Sequence, residues 1–447
     1  AISKAETLVQ PPTDQTTDIR KMASDHLAHL TSNLHRLVES EHPMLSTMSK
    51  YYFEPESGKH FRPLVVLLMS LATSVAPKEC RVNPTTDYFE TIDHTVSKLF
   101  SNTYYATNHT TSPQPTGSFY QTTPTPTVVS PPPLPYAPDS PHHHTMYTTT
   151  THQPSGCTIL PSQRRLSEIV ELMHTATLLH DDVVDEAYLR RNKTCVHLAY
   201  GNKMAILVGD FLIARACCAL TRLRHNEVTE LLATVISDLT EGEVMQLKNT
   251  QEEAIVNPQQ LAATNRTSEC TPLSEISAAT LGPTADTFSY YLEKSYLKTA
   301  AFIAKSCRAA ALLGGCTEAV ADTAFSYGKS LGLAFQLVDD MLDFTVSKSQ
   351  LGKPVGADLK LGLATAPVLY AWQEFPELGP LVQRRFSQPD DTQAAWDLVH
   401  RSQGVQKTYE LAQSHCNDAL KALEQLPDSP ARLALVDLTS NVLNRKK

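Results

Sequence analysis

The chain has 447 residues, enough for two or three domains or for one large helical domain. Apolar residues make up 41% and charged residues 19%, and 29 prolines against 16 glycines predict that part of the chain is unstructured. The net charge of −9, from 38 Lys+Arg and 47 Asp+Glu, argues against a broad basic surface, so no nucleic-acid partner is expected. A local basic pocket for a phosphorylated ligand remains compatible with it.

No uninterrupted apolar run approaches the roughly 18–20 residues of a spanning helix, so an integral membrane protein is not expected. Nine cysteines include the adjacent Cys217 and Cys218 but no CxxC. Their spacings build neither a zinc site nor a disulfide framework, which fits a reducing compartment. The chain begins at Ala1 rather than Met, which is compatible with a targeting segment already removed.

In chain order, residues 1–98 read as the N-terminal helices of a helical body. The composition then shifts. Between Lys98 and Arg164 the only charged residue is Asp139, and Pro, Thr, Ser, His and Tyr dominate. Residues 99–161 have too few aliphatic side chains to offset a backbone ordering cost of roughly 1–2 kcal/mol per residue, and they read as a disordered insertion. The run His142-His143-His144 inside it reads as low complexity rather than as a metal site. Residues 162–447 complete the body, with a second polar loop over 251–287. From Ser162 to Met173, apolar residues fall at 166, 169, 170, 172 and 173, the spacing of an amphipathic helix with Ser162 as its N-cap. Helical character continues over 202–224, 227–249, 288–313, 318–345, 363–373 and 411–426. No alternating strand runs and no βαβ rhythm appear, so the fold class is all-α.

Two carboxylate clusters stand out, Asp181-Asp182-Val-Val-Asp185 and Asp339-Asp340-Met-Leu-Asp343. In each, the first and last Asp are four apart and share a helix face, about 6 Å from one another. A single cluster would read as a solvated acidic face. Two copies of one spacing, both in apolar helical surroundings, read instead as two walls holding cations against a diphosphate. Such hard oxygen donors suit Mg²⁺, which keeps several waters and completes its shell from carboxylates and phosphate. Basic residues bracket the clusters: Lys59 and Arg62 before an apolar helix start, Arg190-Arg191, Lys298-Thr299, and Lys353 and Lys360 around a glycine-containing loop. Together they supply an anion pocket.

The segments GKHFRP, LLHDDVVDEAYLRRN, GNKMAILVGDFLIARA, FQLVDDMLDF and GKPVGADLKLGLATAP resemble the trans-polyprenyl diphosphate synthase family, and within it the mitochondrial long-chain enzymes of the ubiquinone side chain. The resemblance covers roughly residues 20–83 and 160–447. It departs from the usual pattern at Lys59-His60, where the family commonly has Lys-Arg. It implies an isoprenoid synthase helical bundle, with two Asp-rich helices facing across a central cavity.

Carried over by position, the resemblance makes Asp181, Asp185, Asp339 and Asp343 the Mg²⁺ ligands. Arg190, Lys298, Thr299, Gln336 and Lys353 would bind the allylic diphosphate. Lys59, Arg62, His174 and Arg191 would bind isopentenyl diphosphate. His174 lies two helical turns before Asp181 on the same face. Ala176, five residues before Asp181, would open a chain-length tunnel continuing past Met173, Val170 and Ile169, because short-chain relatives carry a bulky aromatic residue there. Each layer of about 5.4 Å matches roughly one isoprene unit.

The implied activity is repeated addition of isopentenyl diphosphate to an allylic primer, giving a long all-trans product. A homodimer, peripheral membrane association and a mitochondrial, matrix-side location at the inner membrane follow from the resemblance alone. The alternatives are a short-chain, geranylgeranyl-type synthase and a non-catalytic subunit of a heteromeric synthase; the completeness of both Asp clusters argues against the latter.

Overall fold

The computed structural model describes Leu27 and residues 29–53, 60–79, 159–190, 193–250, 282–345 and 356–445. All of the insertion over 99–161 except its last three residues, most of the second loop, and Lys59, Arg191 and Lys353 lie outside them. The described part is helical, as expected. Near the N-terminus are α1 (Leu30–Leu37), α2 (Pro43–Lys50) and α3 (Phe61–Ser74). α4 (Pro161–Val184) starts two residues earlier than the sequence predicts. Leu160 is the cap and Pro161 the first helical residue, where its fixed φ and missing N–H cost nothing. Ser162 is thus inside the first turn and buried. Gln163 Oε1 accepts from the Leu160 N–H at 3.0 Å instead.

After a two-residue antiparallel ribbon, Leu189–Arg190 with Lys193–Thr194, come α5 (Val196–Tyr200), α6 (Asn202–Thr221) and α7 (Asn226–Thr250). The segment expected as one helix over 288–313 divides into α8 (Ala285–Ser295), a π-helical turn (Tyr296–Ala300) and α9 (Ala301–Leu313). α10 (Glu318–Thr345) matches its expected limits. The C-terminal part holds α11 (Ala357–Lys360), α12 (Ala366–Glu374), α13 (Leu378–Gln383), α14 (Asp391–Arg401), α15 (Gly404–Glu424) and α16 (Pro430–Leu443).

α10 packs between α9 and α15, α4 packs on α3 and α6, and α9 touches α3, α7 and α10. Spacing on α10 explains how the site is set. Residues 328, 332, 336 and 340 form one i, i+4 stripe. Gly328 and Gly332 make its first half; a β-carbon at Gly332 would lie 2.5 Å from Ala300 Cα, and one at Gly328 2.7 Å from Ala304 Cα. The bare backbones therefore meet closely, and the second half of the stripe, Gln336 and Asp340, is brought against the helix that carries Tyr291 and Thr299. A second close approach lies at Gly209 on α6, where a β-carbon would overlap the His180 ring from α4.

The buried core runs through these helices, with Leu34, Val66, Leu166, Ile169, Val170, Leu212, Leu232, Tyr327 and Leu331 all at 0% exposure. A smaller apolar cluster, containing Phe344, Leu359, Val368, Leu378 and Val399, lies beside it. α6 is long and apolar enough to cross a bilayer, with mean hydropathy 1.8, although Asp210 and Arg215 interrupt its apolar run. In this fold it lies along α4, while Ile206 and Leu207 face outward. The described cysteines are free thiols.

Candidate active site

A cavity of about 440 Å³ opens between α4, α7, the π-helical turn and α10. From α4 it is lined by His174, Leu178 and Asp181, which the i, i+4, i+7 spacing places on one face. α7 contributes a graded stripe, apolar at Ile236 and Leu239 and polar at Glu243 and Gln246. Lys294, Lys298, Thr299 and Phe302 come from the helix interrupted by the π turn, Gln336 and Asp340 from α10, and Asp358 from α11. π turns shift helical register by one residue, and here Lys298 and Thr299 both reach the cavity.

In the first acidic cluster, Asp181 faces the cavity. Burial and the nearby Glu243 push its carboxyl up to about 7, against the pull of Lys298. Asp182 points the other way and is 1% exposed. Its Oδ2 accepts from Tyr52 Oη at 2.8 Å, and its Oδ1 from Arg190 Nε at 2.8 Å and Nη2 at 2.5 Å. Asp185 caps α4, its N–H donating to Asp181 O at 2.8 Å, and burial raises its carboxyl as well.

In the second cluster, Asp340 is the buried member, 4% exposed. It accepts from Tyr291 Oη at 2.5 Å and from Gln336 Nε2 at 2.7 Å, and burial pushes its carboxyl up to about 6. Asp339 is about half exposed and accepts from Arg445 at 3.1 Å. Asp343 accepts from the backbone N–H groups of Ala357 and Asp358, each at 3.1 Å, which ties α11 to the end of α10. That contact draws in Asp358, whose carboxyl is raised by burial and by Asp340, Asp343 and Asp339.

The cationic and polar residues are pre-positioned by hydrogen bonds. Lys298 Nζ lies 2.7 Å from Glu243 Oε1 and 3.0 Å from Gln246 Oε1. Thr299 Oγ1 donates to Gln336 Oε1 at 2.7 Å, which orients the amide so that its nitrogen serves Asp340. Arg62 Nη1 sits 2.8 Å from His174 Nε2, with the guanidinium 5.7 Å from the Phe302 ring centre. His60, at the start of α3, holds a left-handed backbone (φ 44) and places Nδ1 3.3 Å from the buried Glu171. This residue stands where the family pattern has arginine, and it ties the turn before Arg62 to α4.

Of the residues expected at the site, Arg62, His174, Asp181, Lys298, Thr299 and Gln336 line one cavity. Asp185, Arg190, Asp339 and Asp343 are not among its lining residues, and Arg190 is spent on Asp182. Ala176 and Met173 are in the core, 0% and 3% exposed, and also lie off the cavity wall. Sequence reasoning missed Tyr52, Glu243, Gln246, Tyr291, Lys294 and Asp358. Glu243 and Gln246 carried no signal that sets them apart from the other polar residues of α7, such as Glu230, Asp238 and Glu241.

Residues 147–399 match the polyprenyl synthetase family. The chain is 45% identical over 433 residues to a protein of Neurospora crassa named probable hexaprenyl pyrophosphate synthase, mitochondrial; the match spans 97% of this chain and 82% of that one. It is 41% identical to the mitochondrial hexaprenyl pyrophosphate synthase of Saccharomyces cerevisiae, over 100% and 94% of the two chains. Its fold is similar to the crystal structure of a polyprenyl synthase from Caulobacter crescentus complexed with calcium and isoprenyl diphosphate. The TM-score is 0.66 at 23% identity, covering 98% of this chain and 100% of that one. With relatives aligned along nearly its whole length, the chain belongs to the polyprenyl synthetase family and is a prenyltransferase.

Proposed function

We propose that the chain adds isopentenyl diphosphate repeatedly to an allylic diphosphate, releasing pyrophosphate each time, and makes a long all-trans polyprenyl diphosphate for the ubiquinone side chain. The observation that carries this reading is the meeting of Asp181, Lys298, Thr299, Gln336, Arg62 and His174 in one cavity with apolar walls. The names of the relatives support a long product and a mitochondrial place, and the reading sets the enzyme on the matrix side.

The donor set fits a hard divalent cation. Asp181, Asp340 and Asp358 are carboxylates raised by burial and by neighbouring carboxylates, so the wall is short of positive charge. Among the described residues no three acidic, histidine or cysteine side chains converge to hold an ion unaided. Mg²⁺ takes the rest of its shell from water and from diphosphate oxygens. Asp181, Asp185, Asp339 and Asp343 would hold it, and when bound it neutralises charge growing on the leaving pyrophosphate.

The chain's own residues do the rest. Lys298, Thr299 and Gln336 hold the allylic diphosphate, and the family pattern adds Lys353 and, through the donors that Asp182 leaves free, Arg190. Arg62 and His174, with Lys59 and Arg191, hold isopentenyl diphosphate. Leu178, Ile213, Ile236, Leu239 and Phe302 keep water from the allylic cation as its C–O bond breaks. The isopentenyl double bond attacks that cation, and the proton then lost goes to the released pyrophosphate. No nucleophilic serine or cysteine is needed.

A second copy would cover the outer face of α6, where Leu207 is 56% and Ile206 44% exposed. The product is a long hydrocarbon, so peripheral contact with the inner membrane belongs to the same reading. Ala176 and Met173 are assigned to product length. Ala176→Tyr should shorten the main product to about the geranylgeranyl length; a stable variant with unchanged products would remove the assignment. A ring that only overpacks the core would instead cost about 1–3 kcal/mol of stability.

The whole reading is tested by incubating the chain with farnesyl diphosphate, isopentenyl diphosphate and Mg²⁺, then chromatographing the dephosphorylated products. Long polyprenols are expected. Products ending at geranylgeraniol would make it a short-chain enzyme, a reading that the relatives do not favour.

A further inference from the structure

Lys294 sits at the end of α8, one turn before Lys298, and lines the same cavity. It is 8% exposed. Lysines in this neighbourhood are otherwise paired: Lys298 with Glu243 at 2.7 Å, and Lys305 with Asp238 at 2.5 Å. Lys294 has no such partner among the described residues. Its Nζ lies over the face of the Tyr291 ring, 5.6 Å from the ring centre. An ammonium more than nine-tenths buried and unpaired is costly, and burial accordingly lowers its affinity for a proton.

Two explanations compete. Lys294 could be the counter-ion of Asp340, the acid that acts on it most strongly. Yet Asp340 already takes the Tyr291 hydroxyl on one oxygen and the Gln336 amide on the other. The second explanation uses the cavity. Lys294 carries three donors and no acceptor, and Lys298, Thr299 and Gln336 border the same space. A group that completes this arrangement is anionic, rich in oxygen acceptors, and enters from the cavity.

We propose that Lys294 is a further binding residue for the diphosphate of the allylic substrate. It donates from Nζ to that group's non-bridging oxygens on the side of Asp340 and Asp358, and it keeps this contact with the released pyrophosphate. The proposal rests on the reading of this cavity as the allylic diphosphate site.

The test is calorimetric titration of inorganic pyrophosphate, with Mg²⁺ present, into the full chain and its Lys294→Met, Lys294→Arg and Lys298→Met variants. Folding is checked by circular dichroism, with Lys294→Gln replacing the methionine variant if that one fails to fold. Lys294→Met should weaken pyrophosphate about tenfold or more, as loss of a charge-assisted contact does. It should also raise KM for the allylic diphosphate, leave KM for isopentenyl diphosphate unchanged, and be partly rescued by arginine. Pyrophosphate affinity within twofold of the parent in Lys294→Met, with Lys298→Met weakened, would overturn the assignment of Lys294 alone. If neither variant loses affinity, the reading of the cavity falls and takes Lys294 with it.

Discussion

The two Asp-rich segments are spelled alike, and the structure gives their middle carboxylates one common device. Asp182 and Asp340 are both buried, and each accepts from a tyrosine hydroxyl, Tyr52 at 2.8 Å and Tyr291 at 2.5 Å. Their remaining partners differ. Asp182 meets the guanidinium of Arg190, so its charge is balanced inside the protein. Asp340 meets the neutral amide of Gln336 and lies near Asp339 and Asp358, so the second wall keeps an excess of negative charge. In the first cluster the middle Asp182 turns away from the cavity that Asp181 lines; in the second the middle Asp340 itself lines it, while Asp339 meets Arg445 and Asp343 holds the start of α11.

Removing an outer carboxylate gives the largest effect. Asp181→Ala or Asp339→Ala should each lower turnover by about three or more orders of magnitude, because stabilisation of the leaving group is lost in the transition state. Near-normal rates in either variant, or in excess chelator, would contradict the metal assignment.

The tyrosines sharpen the comparison. Tyr291→Phe leaves a buried carboxylate with one neutral partner and should cost about 1–3 kcal/mol of stability, with turnover falling by roughly one to two orders of magnitude. Tyr52→Phe leaves Asp182 its arginine and should cost less, about 0.5–1.5 kcal/mol. Thermal melts of both variants decide this; equal losses would mean that the two anchors are equivalent.

The smallest effect is on pH. Without divalent metal, Asp181 and Asp340 have carboxyls raised to about 7 and about 6 from an ordinary 3.8. A raised carboxyl binds its proton more tightly in the folded state. Its contribution to stability is therefore complete below about pH 4 and is lost as pH climbs through 6 and 7. The metal-free protein should melt lower at pH 8 than at pH 5, and Asp181→Asn should flatten the upper part of that slope. Added Mg²⁺ should raise the melting temperature more at pH 8 than at pH 6, since its ligands must be deprotonated. An unchanged slope in Asp181→Asn would remove that carboxyl from the explanation.

Much of this architecture is legible in the sequence because it is local. Periodicity gives α10 its limits of 318 and 345, and i, i+4 spacing alone makes each acidic cluster a candidate. The roles of Lys298, Thr299 and Gln336 come from the family pattern, since nothing nearby in sequence sets a lysine inside an alanine-rich helix apart. What stays hidden depends on residues distant in the chain. Tyr52 reaches Asp182 across 130 positions and Tyr291 reaches Asp340 across 49. The π turn, and with it the joint exposure of Lys298 and Thr299, follows from packing against α10 rather than from any local propensity. Asp358 is tied to the end of α10 by Asp343, which accepts from its backbone N–H across 15 positions.

The central claim is that two acidic walls far apart in sequence hold one metal–diphosphate ligand. Binding of inorganic pyrophosphate to the intact chain, with and without Mg²⁺, tests it most directly in the parent and in Asp181→Asn and Asp339→Asn. The account predicts tight binding only with Mg²⁺ in the parent, and its loss in either single variant. Mg²⁺-dependent binding that survives in one of them would show that a single wall suffices, and would contradict the claim.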